Sequence, residues 1–271
     1  MRAGLELWAR DTGRELVLLD DESDAQVAAL VHEQLVELGC NPVLGPYGSD
    51  TTRAVAGARE GLVVWNHGAA ADDVQRLPGV VSVPTPASRY LVELARAAVR
   101  LGATRIAVLT ARGPFARLAR EGLEREAHGL DAQLVADTDS ADCVLLCGPV
   151  EWEAKHFRKL KSVALFGGVS PGLPEAPQAW PDGTLAPVQW HPDLGGPPGL
   201  KDYVAAQAYA VALIAERCLE LEPADPLSAA HTLSTTTFFG PFELDEAGLQ
   251  TGHRLSVVRW RHGRQTLLPA D

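Results

Sequence analysis

The run Leu44-Gly-Pro-Tyr-Gly-Ser-Asp-Thr-Thr-Arg-Ala-Val55 gathers groups suited to holding an anion. A short strand ends in Gly45-Pro46, a tight turn follows, and Ser49 or Asp50 is placed to cap a helix. Backbone N–H groups exposed at such a terminus, with a serine hydroxyl beside them, suit a small carboxylate. An ordinary capped helix reads the same way. The run Gly168-Val-Ser-Pro-Gly172 has the spacing of a nucleophile elbow and makes Ser170 a hydrolase candidate. That elbow needs a helix straight after the serine, and Pro171, Pro174, Pro177 and Pro181 oppose one. A hydrolase also needs an acid and then a late histidine, which His231, His253 and His262 supply only by accident of composition. The other histidines, His32, His67, His156 and His191 among them, show no paired metal spacing, so packing or surface roles are expected. No metal, no cofactor and no catalytic residue is therefore expected.

The elements that must position these groups alternate almost throughout, short apolar runs with helical periodicity, as in βαβ units around a parallel sheet. Residues 15–20 predict a strand, and Asp21-Glu-Ser-Asp24 a cap for a helix over 25–38 whose inward face is Val27, Leu30, Val31, Leu35 and Leu38. Residues 42–45 predict a short strand, 51 to about 60 a helix, and 62–66 and 80–84 two further strands. A second group repeats the pattern: helix 88–101, strand 105–109, helix 114 to about 130, strands 132–135 and 142–147, helix 151–160 and strand 163–166. Residues 167–199 read as loop with one strand at 185–190, and a long helix follows over 200–222, its stripe Tyr203, Ala206, Ala210, Leu213, Arg217 and Leu221. Residues 239–244 and 255–260 predict a terminal hairpin, with a further turn at His262-Gly263 before a strand at 265–268. Open sheets of this kind bind ligands at the carboxyl ends of their strands.

Composition narrows the partners. A formal net charge of −11 argues against nucleic acid and against an anionic membrane surface. No apolar run is long enough to span a bilayer, and residues 1–8 read as an amphipathic helix rather than a signal-peptide core. Cys143 and Cys147 would lie roughly 13 Å apart on one strand, too far to bridge. With Cys40 and Cys218 they read as small buried hydrophobes.

Taken in order, these segments resemble the Leu/Ile/Val-binding members of the type I periplasmic binding proteins, the substrate-binding components of ABC transporters. Leu18-Leu-Asp-Asp-Glu-Ser-Asp24 is similar to that family's acidic strand end, and Gly45-Pro-Tyr-Gly-Ser49 to its carboxylate-binding turn. Val83-Pro-Thr-Pro-Ala-Ser-Arg-Tyr90 resembles its first crossing between lobes, and Thr104-Arg-Ile-Ala-Val-Leu109 the strand that follows. Tyr203-Val-Ala-Ala-Gln-Ala-Tyr209 resembles the helix returning to the first lobe, and Phe239-Gly-Pro-Phe-Glu-Leu-Asp245 with Val257-Val-Arg-Trp260 the terminal hairpin.

The resemblance implies an α/β fold of two doubly wound, Rossmann-like lobes with an interlobe cleft, N-terminally reduced. Residues 1–85 with 200–250 would form the first lobe, and 86–199 with 251–271 the second. It implies no enzyme but a protein that binds a small carboxylate-bearing or amino-acid-like solute by hinge closure and delivers it to an ABC permease. Ser49 falls at the carboxylate hydroxyl, and Ala69 and Ala70 in the loop that supplies backbone to the same group, without a Thr hydroxyl there. Ser88 and Val169 fall where acidic partners of an α-ammonium group are expected, and neither is acidic. Tyr47, Tyr90, Phe115 and Trp152 are candidate pocket walls.

The chain also departs from the family. Family members open with a central strand ahead of the helix matched by residues 2–10, and without it two strand edges of the first sheet would be exposed, which suits a homodimer. The link Asp137-Thr-Asp-Ser-Ala-Asp142 is too short for a crossover helix. The resemblance implies an extracytoplasmic protein, whereas the absence of a signal segment suits a cytoplasmic sensor of the same fold, similar to the amide-sensing regulators. A vestigial scaffold that binds nothing small is a third reading.

Overall fold

The computed structural model describes residues 1–58, 61–160, 163–174 and 180–269. The expected helix end near Glu60 and Pro177 of the proline run lie outside the described residues. The chain divides into two compact units, Met1–Pro86 with Pro192–Arg254, and Ala87–His191 with Leu255–Asp271.

In chain order, unit 1 opens with α1 (Arg2–Thr12), α2 (Ala25–Glu37), α3 (Ser49–Ala58), β1 (Val64–Asn66), α4 (Asp72–Gln75) and β2 (Val80–Ser82). Unit 2 follows with α5 (Tyr90–Arg100), β3 (Arg105–Thr110), α6 (Pro114–Glu126), β4 (Gln133–Val135), β5 (Cys143–Cys147), α7 (Val150–Phe157), β6 (Leu165–Gly168) and β7 (Leu185–Val188). Unit 1 resumes with α8 (Tyr203–Leu221), α9 (Pro226–Thr232), β8 (Thr235–Thr237) and β9 (Gly240–Phe242), and unit 2 closes with β10 (Ser256–Arg261) and β11 (Arg264–Leu267). No helix among the described residues is long and apolar enough to cross a membrane.

Unit 2 is built on a seven-stranded sheet in the order β11-β10-β7-β6-β5-β3-β4. Strands β3 to β7 pair in parallel, and β10 joins β7 antiparallel. Its interior strand β5, Cys-Val-Leu-Leu-Cys, is buried at every position, as a strand covered on both faces must be. Alternate residues feed two cores. Cys143, Leu145 and Cys147 pack with Leu91, Leu94, Ala95 and Ala98 of α5, while Val144 and Leu146 pack with Phe157 and Trp180. All four cysteines are free, and burial pushes the Cys143 thiol up to about 12. The short link 137–142 contains a single 3-10 turn, Thr138–Ser140, in place of a crossover helix.

Unit 1 has a much smaller sheet, in which β1 and β2 pair in parallel over three residues each. One face, Trp65 and Val81, packs on Val211 and Ile214 of α8. The other, Val64 and Val80, packs on Ala28 of α2 and Val55 of α3. Helix α1 lies against α8, and Gly4 permits it: a Cβ there would sit 2.0 Å from the Ala205 carbonyl oxygen.

Several sequence expectations are corrected. Residues 15–20 form no strand, and residues 42–45 give only a bridge of Leu44 to Trp65. Hydrogen-bonded partners, not an apolar run, make a strand, and residues 15–20 have none among the described residues. Helix α2 is held at its start by the Asp24 carboxylate, which accepts from the Gln26 and Val27 amides. It turns Ala28 and His32 fully inward, leaving Leu30 66% and Leu38 60% exposed. In α8 burial runs nearly all round rather than along one stripe, and Leu221 is exposed. The terminal hairpin does not form as expected, because β9 turns back on β8 and β10 pairs with β7 and β11. The unit boundary after Arg254 separates the two runs.

Candidate functional site

In unit 1 the turn after Leu44 holds the residues expected to meet an anion. The structure starts α3 at Ser49, so Ser49 lies inside the helix, and Thr51 rather than Ser49 or Asp50 supplies the side-chain hydrogen bonds of the turn among the described residues. Thr51 anchors the turn instead, its hydroxyl donating to the carbonyls of Tyr47 and Gly48 at 3.0 Å each. The first N–H of the helix with a backbone acceptor is that of Thr52, which reaches Gly48 at 3.1 Å. Among the described residues, the N–H groups of Ser49, Asp50 and Thr51 and the half-buried Ser49 hydroxyl have no partner. Four donors at a helix start form a positive end able to take a carboxylate.

The loop after β1 faces this turn. A Cβ on Gly68 would meet the Tyr47 ring at 2.2 Å, so only glycine lets that ring lie against the loop. Asn66, fully buried, shapes the loop: its Oδ1 accepts from the Gly68 and Ala69 amides at 3.0 and 2.7 Å, and its Nδ2 donates to the Ala69 carbonyl and the Ser82 hydroxyl. The Ala69 amide is thus already committed, whereas the Ala70 amide has no acceptor among the described residues. His67 lies between, against Gly45 and 5.9 Å from the Tyr47 ring centre. Both its ring nitrogens are buried without a partner. Burial above all, with the N-terminal ammonium adding, holds its pKa down at about 3, so the ring is neutral. Packing was expected of His67, but a buried imidazole with two unpaired nitrogens is a costly packing residue. The crossing segment is fixed from behind: Gln75 donates to the Pro84 carbonyl at 3.0 Å, and the Thr85 hydroxyl meets His253 Nδ1.

In unit 2 the remaining candidates lie at strand ends and crossing turns. Tyr90 opens α5, edge-on to Phe115 at 5.1 Å, and its hydroxyl accepts from Gln189 Nε2 at 2.6 Å. Ser88 is buried in a 3-10 turn whose carbonyl would lie 2.0 Å from a Cβ on Gly122. Trp152 lies against His156, the ring centres 3.9 Å apart and the planes tilted by 31°, and its ring covers Gly148. The sequence reading missed Glu153. Its fully buried carboxylate accepts from the Gly148 amide at 2.8 Å and the Ser170 amide at 3.0 Å, tying the loops after β5 and β6 together. Burial pushes its pKa up to about 8 against the pull of those hydrogen bonds. A carboxylate four residues after the Gly148-Pro149 strand end was visible, but nothing in the sequence marked it as buried. Ser170 is itself buried, donates to the Gly148 carbonyl at 2.8 Å, and leads into one 3-10 turn rather than a helix, so the nucleophile elbow is not formed.

Two α/β units, one of them built on a seven-stranded and largely parallel sheet, are the architecture of the type I periplasmic binding proteins. The family model for periplasmic binding proteins matches residues 1–142, over half the chain, and the chain belongs to that family. Solved structures agree on the fold. An ABC transporter substrate-binding protein from Desulfitobacterium hafniense, in complex with Leu, is 17% identical over 98% of this chain and 95% of its own, with a TM-score of 0.80. A leucine-binding protein from Thermotoga maritima gives 16% identity, 99% and 92% coverage and a TM-score of 0.76. A solute-binding protein from R. palustris in complex with 4-hydroxybenzoate gives 16% identity, 100% and 90% coverage and a TM-score of 0.75. No curated protein matches by sequence. The family is one of solute-binding proteins rather than enzymes.

Proposed function

We propose that this chain binds a small carboxylate-bearing solute at the start of α3, as the substrate-binding component of an ABC transporter. The observation that carries the reading is the set of unpartnered donors at Ser49, Asp50 and Thr51 with the Ser49 hydroxyl. The similar structures support it: leucine and 4-hydroxybenzoate differ in nearly everything except a carboxylate. The carboxylate is what the turn after Leu44 suits. Ser88 and Val169 offer no acid to an α-ammonium group, which favours carboxylates without one over amino acids.

Titration calorimetry with leucine and with 4-hydroxybenzoate tests both halves of the reading. Binding of the benzoate, weakened about tenfold or more in Ser49→Ala with an unchanged melting temperature, is the expected result. Leucine binding as tight as that of the benzoate would overturn the preference. Loss of binding only in variants that also lose stability would overturn Ser49 as a contact.

A further inference from the structure

Helix α7 is docked on unit 2 by two side chains of opposite kind. Of its eight residues only Glu153 and Phe157 are buried. Phe157 packs edge-on to Phe166 and Trp180, as a core residue does. Glu153 reaches instead across the carboxyl ends of β5 and β6, where open parallel sheets carry their ligand-facing loops. Its Oε1 accepts from the Gly148 amide at 2.8 Å, after β5, and its Oε2 from the Ser170 amide at 3.0 Å, after β6. The Ser170 hydroxyl closes the ring by donating to the Gly148 carbonyl at 2.8 Å. Gly168 leaves the room this needs, since a Cβ there would lie 2.3 Å from Oε2.

The surroundings decide which charge this acid can carry. From β5 it meets the Cys147 thiol, which burial first and Glu153 second push up, so that it stays neutral. From β6 and the turn it meets Gly168 and Ser170, neither of which titrates. On α7 itself Glu151 and Lys155 are exposed, and the His156 ring bonds to the Trp152 carbonyl. No cation therefore meets the carboxylate among the described residues. An acid buried in this way keeps its proton until water reaches it. Protonated, it still accepts from both amides, and its O–H can turn to the Ser170 hydroxyl that it already contacts. Ionised, it is a bare charge beside Phe157 and Cys147, and hydration relieves it only if α7 lifts.

We propose that Glu153 is a proton-controlled latch on the loops after β5 and β6. Protonated, it docks α7 and both loops on the sheet; on losing its proton it lets them undock while the sheet stays folded. The opening is confined to this corner because α7 loses one of its two buried side chains, whereas β5 is buried at every residue. Proton balance sets the sign. The closed site holds its proton up to about pH 8 and the opened one only to the ordinary 4.5. Opening therefore rises by up to about tenfold per pH unit between those values and levels off above them.

Hydrogen exchange of the whole chain tests the latch directly, because the Gly148 and Ser170 amides are its own donors. After correction for intrinsic rates, their protection should fall about tenfold per pH unit as pH rises towards 8. Low urea should leave it unmoved, as it does local openings that expose little surface, while protection in β5 falls with urea. Glu153→Gln is uncharged at every pH, so the protection of both amides, whatever its absolute value, should stay level across the range. If the two amides exchange only together with those of β5, and with the same urea dependence, the opening is global and the latch is wrong. Protection in the wild type that does not follow pH overturns it too, as does an equal slope in Glu153→Gln. The comparison of loop with β5 in the wild type decides the matter even if the glutamine variant fails to fold.

Discussion

Glu153 carries its carboxylate into full burial, held by two backbone amides and no cation among the described residues. Its pKa rises from 4.5 to about 8 on folding, so between those values the folded chain keeps a proton that the unfolded chain releases. The stabilisation is complete below pH 4.5 and is lost as pH rises through 8, at up to about 1.4 kcal/mol per pH unit. Glu153→Gln removes that slope. The slope is the readout rather than the absolute value, because glutamine sets an NH2 group against one of the two amide donors. Urea midpoints measured from pH 4.5 to 8.5 should fall in the wild type more steeply than in Glu153→Gln; parallel curves would sink the assignment. Ser49 belongs to the same scale with the opposite logic. Its donors are half-buried and unpaired, as binding groups should be, whereas those that meet Glu153 are satisfied.

At the scale of elements, close backbone approach decides more than side-chain pattern. Helix α1 can lie against α8 only because residue 4 has no Cβ. Gly4→Ala should therefore lower stability by about 1–3 kcal/mol as α1 is pushed off α8. Gly57→Ala in α3, where a Cβ meets nothing within 4 Å, should instead raise it by about 0.4–1 kcal/mol. Denaturant midpoints at unchanged m-value check both, and a neutral Gly4→Ala would show that the two helices separate at no cost. The same contrast explains what could be read from the residues alone. Helix α5 and strand β5 were legible, since their aliphatic spacing and continuous apolar run are what burial requires. The rotation of α2 was not, because Leu30 and Leu38 look like core while Ala28 and His32 occupy it. Nor could residues 15–20 be told from a strand, since pairing depends on neighbours distant in sequence. At the proposed site, the turn before α3 was legible from Gly-Pro-Tyr-Gly-Ser, though not that Ser49 lies inside the helix. The commitment of the Ala69 amide to Asn66 and the isolation of His67 are three-dimensional facts.

For the whole molecule, the two units are unequal in what holds them. Unit 2 has a seven-stranded sheet and a core running through β5 to helices on both faces. Unit 1 has two three-residue strands in parallel, a separate short hairpin of β8 and β9, and a cavity of about 950 Å³ between its helical layers. Cavities weaken packing in proportion to their size, and short parallel ladders add little. The units should therefore unfold separately, unit 1 first. Tryptophans report on each: Trp8 and Trp65 in unit 1, and Trp152, Trp180, Trp190 and Trp260 in unit 2. Single-tryptophan variants followed by fluorescence should give a lower urea midpoint for Trp65 than for Trp260. Hydrogen exchange should be fastest at residues 15–20 and slowest in β5, whose every residue is buried. A benzoate bound at α3 should move only the Trp65 transition if its contacts lie in unit 1, and both transitions together if binding couples the units. Coincident midpoints for Trp65 and Trp260 without any solute would show instead that the molecule melts as one cooperative body. In that case the large core of unit 2 would be stabilising the poorly filled unit 1.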